Sequence, residues 1–295
     1  MGFLSATEIA EIWGVSERSV RNYCAQGRAP GAFLTGKTWN IPSDATKPAR
    51  ANAKQINERP LLARLREEKT AKIKGGIYHK VQVELTYNSN RIEGSKLSLA
   101  QTRFIFETAT IGIQSEAVRL DDIIETSNHF RAIDYIIDHA QEPLSETIIK
   151  ELHHILKAGN TDSAKDWFAM GEYKRLPNEV GGQKTTLPEN VKEEVCRLLK
   201  SYNPRSEHSL EEIIGFHVEF EKIRPFQDGN GRIGRLIMFK ECLANEVVPF
   251  IIDDNMKAFY YRGLSEWDRE KGYLTDTRLA AQDKFKTELD YFRIS

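Results

Sequence analysis

Cysteine is scarce: Cys24, Cys196 and Cys242 are the only three in 295 residues. Their spacing gives neither a metal-type pair nor an even set for a disulfide framework, which leaves them as core thiols. Net charge is also missing, at a formal -1, so no global field draws the chain to nucleic acid or to a membrane and any such binding needs a local patch. No apolar run approaches the roughly 18–20 residues that cross a bilayer. Met1 to Ala10 lacks the basic start and apolar stretch of a targeting segment. The expectation is a cytoplasmic protein without membrane contact. Hydrophobic residues at 40% and charged residues at 29% are ordinary for a globular chain and exclude fibrous and disordered classes. The length suits a main domain with a smaller attachment.

The first fifty residues read as that attachment. Ser5 caps a helix through Trp13, Gly14-Val15-Ser16 turns the chain, and a second helix runs from Glu17 to Ala25 with Gly27 as its stop. Phe33 to Ile41 then makes two short strands about a glycine-containing turn, closed by Pro42. Residues 48–60 read as a linker. Beyond it, helical periodicity dominates over 61–74, 77–90, 99–108, 120–141, 145–158, 188–202, 210–223, 233–245 and from about Tyr273. The stretch 171–187 interrupts it, and Asn178 to Thr186 suggests a β-hairpin. The fold class is mostly α, with a flap and a small N-terminal helix-turn-helix domain.

The chemistry concentrates in Arg224-Pro225-Phe226-Gln227-Asp228-Gly229-Asn230-Gly231-Arg232-Ile233-Gly234-Arg235. Pro225 and the glycines break one helix before periodicity restarts, which places Gly229-Asn230-Gly231 at a helix N-terminus. Free amides and the positive dipole end bind anions there, and glycine permits close approach of a phosphate. Arg232 and Arg235, three apart on neighbouring positions of one face, add charge-assisted forks for a polyphosphate. Asp228 is an oxygen ligand suited to Mg²⁺ shared with phosphates. A metal–nucleotide pocket follows, with Phe226 in its loop.

These residues resemble the Fic (Fido) signature HPFx[DE]GNGRxxR everywhere except its first position. His217 and Phe220 before the loop, Gly171-Glu172-Tyr173-Lys174 and Trp167 agree with that family. The resemblance implies a Fic body over 61–295 with its core at about 120–260. It also implies ATP as substrate and AMP transfer (AMPylation) to a protein hydroxyl. A flap at Leu176 to Thr186, with Val180, Gly181 and Gly182 at its tip, would align a protein target by strand addition. Ser89-Asn90-Arg91-Ile92-Glu93-Gly94 resembles the family's [S/T]xxxE[G/N] inhibitory motif, on a helix at about 77–94. Glu93 paired with Arg235 would withhold that guanidinium from the γ-phosphate. The first unit, 1–47, resembles the winged helix-turn-helix of excisionase and MerR proteins, which implies DNA contacts by Arg18, Arg21, Arg28 and Lys37. A homodimer is left open.

The departure is Arg224. The family places histidine there as the base that removes the proton from the target hydroxyl, whereas guanidinium keeps its proton at any physiological pH. Asn230 and Arg235 complete the residues assigned to the chemistry. Three readings stand: an AMP-transferase with altered chemistry, helped by water, a substrate group or His217; a non-catalytic nucleotide-sensing DNA-binding regulator with Arg224 as an extra phosphate clamp; and a decayed scaffold.

Overall fold

A computed structural model describes residues 2–25, 29–36, 38–48, 60–112, 117–205 and 207–294. The chain divides into two compact units, Met1–Glu58 and Arg59–Ser295. The expected linker falls almost entirely, and Arg28 and Lys37 entirely, outside the described residues.

In the first unit, β1 (Phe3–Ser5) leads into α1 (Ala6–Trp13) and α2 (Glu17–Ala25), followed by β2 (Phe33–Thr35) and β3 (Thr38–Pro42). Ser5 and Glu8 form a reciprocal capping box, and Gly14 ends α1 in the left-handed conformation at φ 63°. The sheet is antiparallel in the order β1-β3-β2, with Leu4 opposite Ile41 and Leu34 opposite Trp39. The sequence gives no sign of β1, because three residues are too few to show alternation. Ile9, Trp13, Val20, Cys24 and Ile41 close a core of their own.

The second unit is helical: α3 (Pro60–Ala71), α4 (Ile77–Ile92), α5 (Leu99–Thr108), α6 (Leu120–Asp138), α7 (Glu146–Lys157), α8 (Pro188–Tyr202), α9 (Leu210–Ile223), α10 (Asn230–Ala244), α11 (Lys257–Ser265) and α12 (Gly272–Tyr291). Between α7 and α8 the chain forms a hairpin of β4 (Glu179–Val180) and β5 (Gln183–Lys184), turned by Gly181 and Gly182 at φ 57° and 77°. The helix α10 starts at Asn230, three residues before its apolar periodicity does. Every residue from Asn230 to Leu243 is buried, enclosed by α9, α6, α4 and α7. Isoleucines and leucines of α4, α6 and α7 pack against Ile233, Leu236 and Ile237 in the main core. Cys242 and Cys24 are buried thiols as expected, while Cys196 is only half-buried. No helix among the described residues is long and apolar enough to cross a membrane.

The helix α11 packs on α12 at a glycine, because a Cβ on Gly263 would sit 2.7 Å from Leu274 Cα. Gly263→Ala overpacks this contact and is expected to lower stability by about 1–3 kcal/mol, measured by urea denaturation.

Candidate nucleotide site at the start of α10

The loop between α9 and α10 is closed by its own side chains. Asn230 Nδ2 donates to the Phe226 carbonyl at 2.8 Å, and the Phe226 amide donates to Asn230 Oδ1 at 2.9 Å. The Asn230 side chain thereby closes the loop on itself. Phe226 stacks flat on His153, with ring centroids 4.0 Å apart. The amide of Gly171 donates to His153 Nδ1 at 2.9 Å, and burial pushes that imidazole's pKa down to about 3. Gly229 caps α10 at φ 83°, where a Cβ would touch Leu156 and Lys157 at 3.3 Å. Only glycine suits both the backbone and the space.

Two guanidinium groups of α10 lie beneath this loop, each nearly inaccessible. Arg235 Nε donates to Ser89 Oγ at 3.0 Å, and its Nη2 donates to the Ser89 carbonyl at 2.9 Å and to Glu93 Oε1 at 2.7 Å. The end of α4 therefore delivers Ser89 and Glu93 together, with Gly94 at φ 98° leading the chain away. A methyl placed on Gly231 would lie 2.3 Å from Glu93 Oε1, so this carboxylate occupies the space directly over the first turn of α10. Burial raises the Glu93 pKa, but Arg235 and Arg232 outweigh it and hold the group below its ordinary value.

Arg232 faces a second set of partners. It binds Glu125 of α6 and, at 3.3 Å, Asp228. Lys157, the last residue of α7, joins the same two carboxylates: Glu125 Oε1 at 2.5 Å and Asp228 Oδ2. Asn160 Nδ2 also donates to Glu125 Oε1, at 2.8 Å. The residues around Asp228 do not fit Mg²⁺. The carboxylate expected to hold it gives Oδ2 to both an ammonium and a guanidinium, so a divalent ion there would meet two fixed positive charges. Sequence spacing pointed to Asp228 alone, since Lys157 and Glu125 reach it across 71 and 103 residues of chain without a motif to mark them.

Arg224 ends α9 at φ 47°, a left-handed conformation uncommon for a residue with a side chain. Its Nη2 lies 3.6 Å from Glu221 Oε2. Lys174 ties this corner to the flap. Its amide donates to the Pro225 carbonyl at 2.9 Å, and its ammonium donates to Asn178 Oδ1 and Thr185 Oγ1 at 2.9 and 2.6 Å. Burial, and then the charge of Arg224, push that ammonium's pKa down to about 8. The Leu176 amide also donates to Gln227 Oε1 at 3.2 Å, so the flap root is fastened to the loop. Val180 at the flap tip is exposed. His217 is fully buried, 2.7 Å from Tyr260 Oη, and burial pushes it down to about 3; it cannot meet a substrate in place of the missing histidine.

In the first unit, the candidate DNA residues Arg18 and Arg21 are both exposed on α2, but Arg21 is paired with Glu17 at 2.6 Å.

Residues 143–242 match the model of the Fic/DOC family. The chain is 31% identical over 183 residues to the protein adenylyltransferase Fic of Drosophila persimilis and 30% identical to that of Drosophila melanogaster. Each alignment covers 60% of this chain and 34% or 36% of the relative, so the chain spans about a third of the length of the curated relatives it matches. A Fic domain-containing signalling protein from Bacteroides thetaiotaomicron superposes with a TM-score of 0.59 at 25% identity, covering 78% of this chain and 90% of that one. Fic-1 from C. elegans gives 0.60 at 20% identity, over 81% and 72%, a likeness of fold. Within the helical unit, residues 143–242 are thus similar to the Fic/DOC family.

Burial raises the Glu221 pKa to about 7, against the pull of Arg224 and Arg235. Its folded-state value lies above the unfolded one, so between about pH 4.5 and 7 the unfolded chain loses this proton first and stability falls as pH rises. Glu221→Gln is expected to flatten that part of the stability–pH curve by on the order of 2–3 kcal/mol, read from urea midpoints at pH 5 and 8. An unchanged slope would refute the assignment.

Proposed function

We propose that this protein binds ATP over the first turn of α10 and is an adenylyltransferase of the Fic type, held off by Glu93. The contact between Arg235 and Glu93 at 2.7 Å carries the reading. The carboxylate stands where a phosphate anion would meet the free amides of the helix, and it takes the guanidinium that would clamp that phosphate. Nucleotide then enters in an unproductive pose until the end of α4 withdraws. In the transfer itself, the oxygen of a target hydroxyl forms a bond to the α-phosphorus, pyrophosphate leaves, and the hydroxyl proton must go to an acceptor. Arg224 cannot accept it. With His217 buried against Tyr260, water or a group of the substrate takes that proton, and transfer is correspondingly slow. The exposed edge of the hairpin at Val180, Gly181 and Gly182 offers backbone groups to a protein target by strand addition.

Incubation with α-labelled ATP tests this. Glu93→Gly is expected to raise protein labelling above the unaltered chain, and Arg224→His in that background to raise it by a further factor of about 10²–10⁴. Arg235→Ala in the same background should abolish it. If Glu93→Gly with Arg224→His transfers no label, the transferase reading is wrong.

The pairing of Arg224 with Glu221 favours a second reading. There Arg224 is a fixed phosphate clamp, and the chain is a nucleotide-sensing regulator that binds DNA through a winged helix formed by the first unit. Arg18→Ala with Arg21→Ala is expected to weaken DNA binding and to flatten the log–log salt dependence by about 1.8, the share of two phosphate contacts. A salt slope unchanged by the double variant would remove these arginines from any DNA contact.

A further inference from the structure

The cluster below the loop contains a cation of its own. Lys157 is 1% exposed, its ammonium lies between Glu125 and Asp228, and Arg232 bridges the same two carboxylates from the other side. Two positive and two negative groups alternate there, so the set is neutral and well joined by charge-assisted hydrogen bonds. A divalent ion entering at Asp228 would have to displace or sit against a buried ammonium, at a repulsion that grows as water is excluded. Arg232 Nε is buried and unpartnered among the described residues, a donor that protein groups leave unused.

We propose that the ammonium of Lys157 does at Asp228 what a divalent ion would otherwise do, so that a nucleoside triphosphate binds this loop without metal. This rests on the nucleotide reading given above. A polyphosphate arriving at the amides of α10 finds Lys157 and Arg232 already fixed and dehydrated by their packing. Their positive charge is shared between carboxylates and phosphate oxygens, with Glu125 keeping both cations oriented. The geometry of α7 supports this placement. Asn128 Nδ2 donates to the carbonyls of Leu156 and Ala158 at 3.1 and 2.7 Å, clamping the backbone on either side of Lys157. The lysine is therefore held in position from α6, like its counter-ion Glu125.

The experiment is the thermal shift of the full chain, and of Glu93→Gly, with ATP in excess EDTA and with ATP in excess Mg²⁺. A Mn²⁺ titration without nucleotide, followed by electron paramagnetic resonance, accompanies it. The unaltered chain is expected to gain the same stabilisation with and without metal and to hold no Mn²⁺. Lys157→Gln frees Asp228 and Glu125, so it should bind Mn²⁺ and require Mg²⁺ for the ATP shift, its affinity in EDTA falling at least about tenfold. An ATP shift seen only with Mg²⁺ in the unaltered chain overturns the proposal and leaves the nucleotide reading intact. No shift in either condition, in either form, overturns both. If Lys157→Gln loses its helical circular dichroism, the EDTA comparison on the unaltered chain decides alone.

Discussion

Two guanidinium groups buried inside a helical bundle set the terms for this molecule. Arg232 and Arg235 project from the most enclosed helix of the body, and an uncompensated charge in such a place is destabilising by several kcal/mol. Each therefore has its own carboxylate supplied by another helix: Glu125 by α6 for Arg232, and Glu93 by the end of α4 for Arg235. Lys157 and Asp228 complete the first pair, while Ser89 completes the second. The positions of α4, α6 and α7 around α10 are thus fixed by electrostatic need as well as by apolar packing. Removing either carboxylate exposes a cation that an anionic ligand can satisfy instead.

The two sets differ in how firmly they are made. Glu125 is approached by Lys157, Asn160 and Arg232, so that its position is over-determined. Glu93 sits just past the last turn of α4 and has Arg235 as its one hydrogen-bonding side-chain partner among the described residues, with about a third of its side chain exposed. The first arrangement is the more firmly held of the two. Arg224 belongs to neither set: it stands at the rim, next to Glu221 and within electrostatic reach of Lys174, where it adds positive charge to the side of the loop that the flap approaches.

Much of this was legible in the sequence. Long amphipathic helices, the glycine turn of the flap and the glycine-rich start of α10 follow from periodicity and from the order Pro, Gly, Asn, Gly, and the resemblance of Ser89 to Gly94 to an inhibitory motif pointed to Arg235. Three things were not legible. The strand β1 is too short for a pattern, and α11 lies where aromatic and polar residues mix, so its bounds do not follow from periodicity. The third is the company of Asp228. A carboxylate in a phosphate loop reads as a metal ligand, and nothing local announces that a lysine from α7 and a glutamate from α6 converge on it, because that convergence is a product of helix packing. His217 illustrates the converse, since its depth against Tyr260 was foreshadowed only by its place on the inward face of α9.

The enclosure of α10 carries one more consequence. A rod gripped along its whole length by four neighbours has no free direction in which to slide or turn, so the amides at its tip are a stationary reference for whatever approaches them. The parts that meet the region of that tip are the terminal turn of α4, through Glu93, and the root of the hairpin, through Leu176 and Gln227. Within the helical unit, that tip is the anvil against which Glu93 and the root of the hairpin are set.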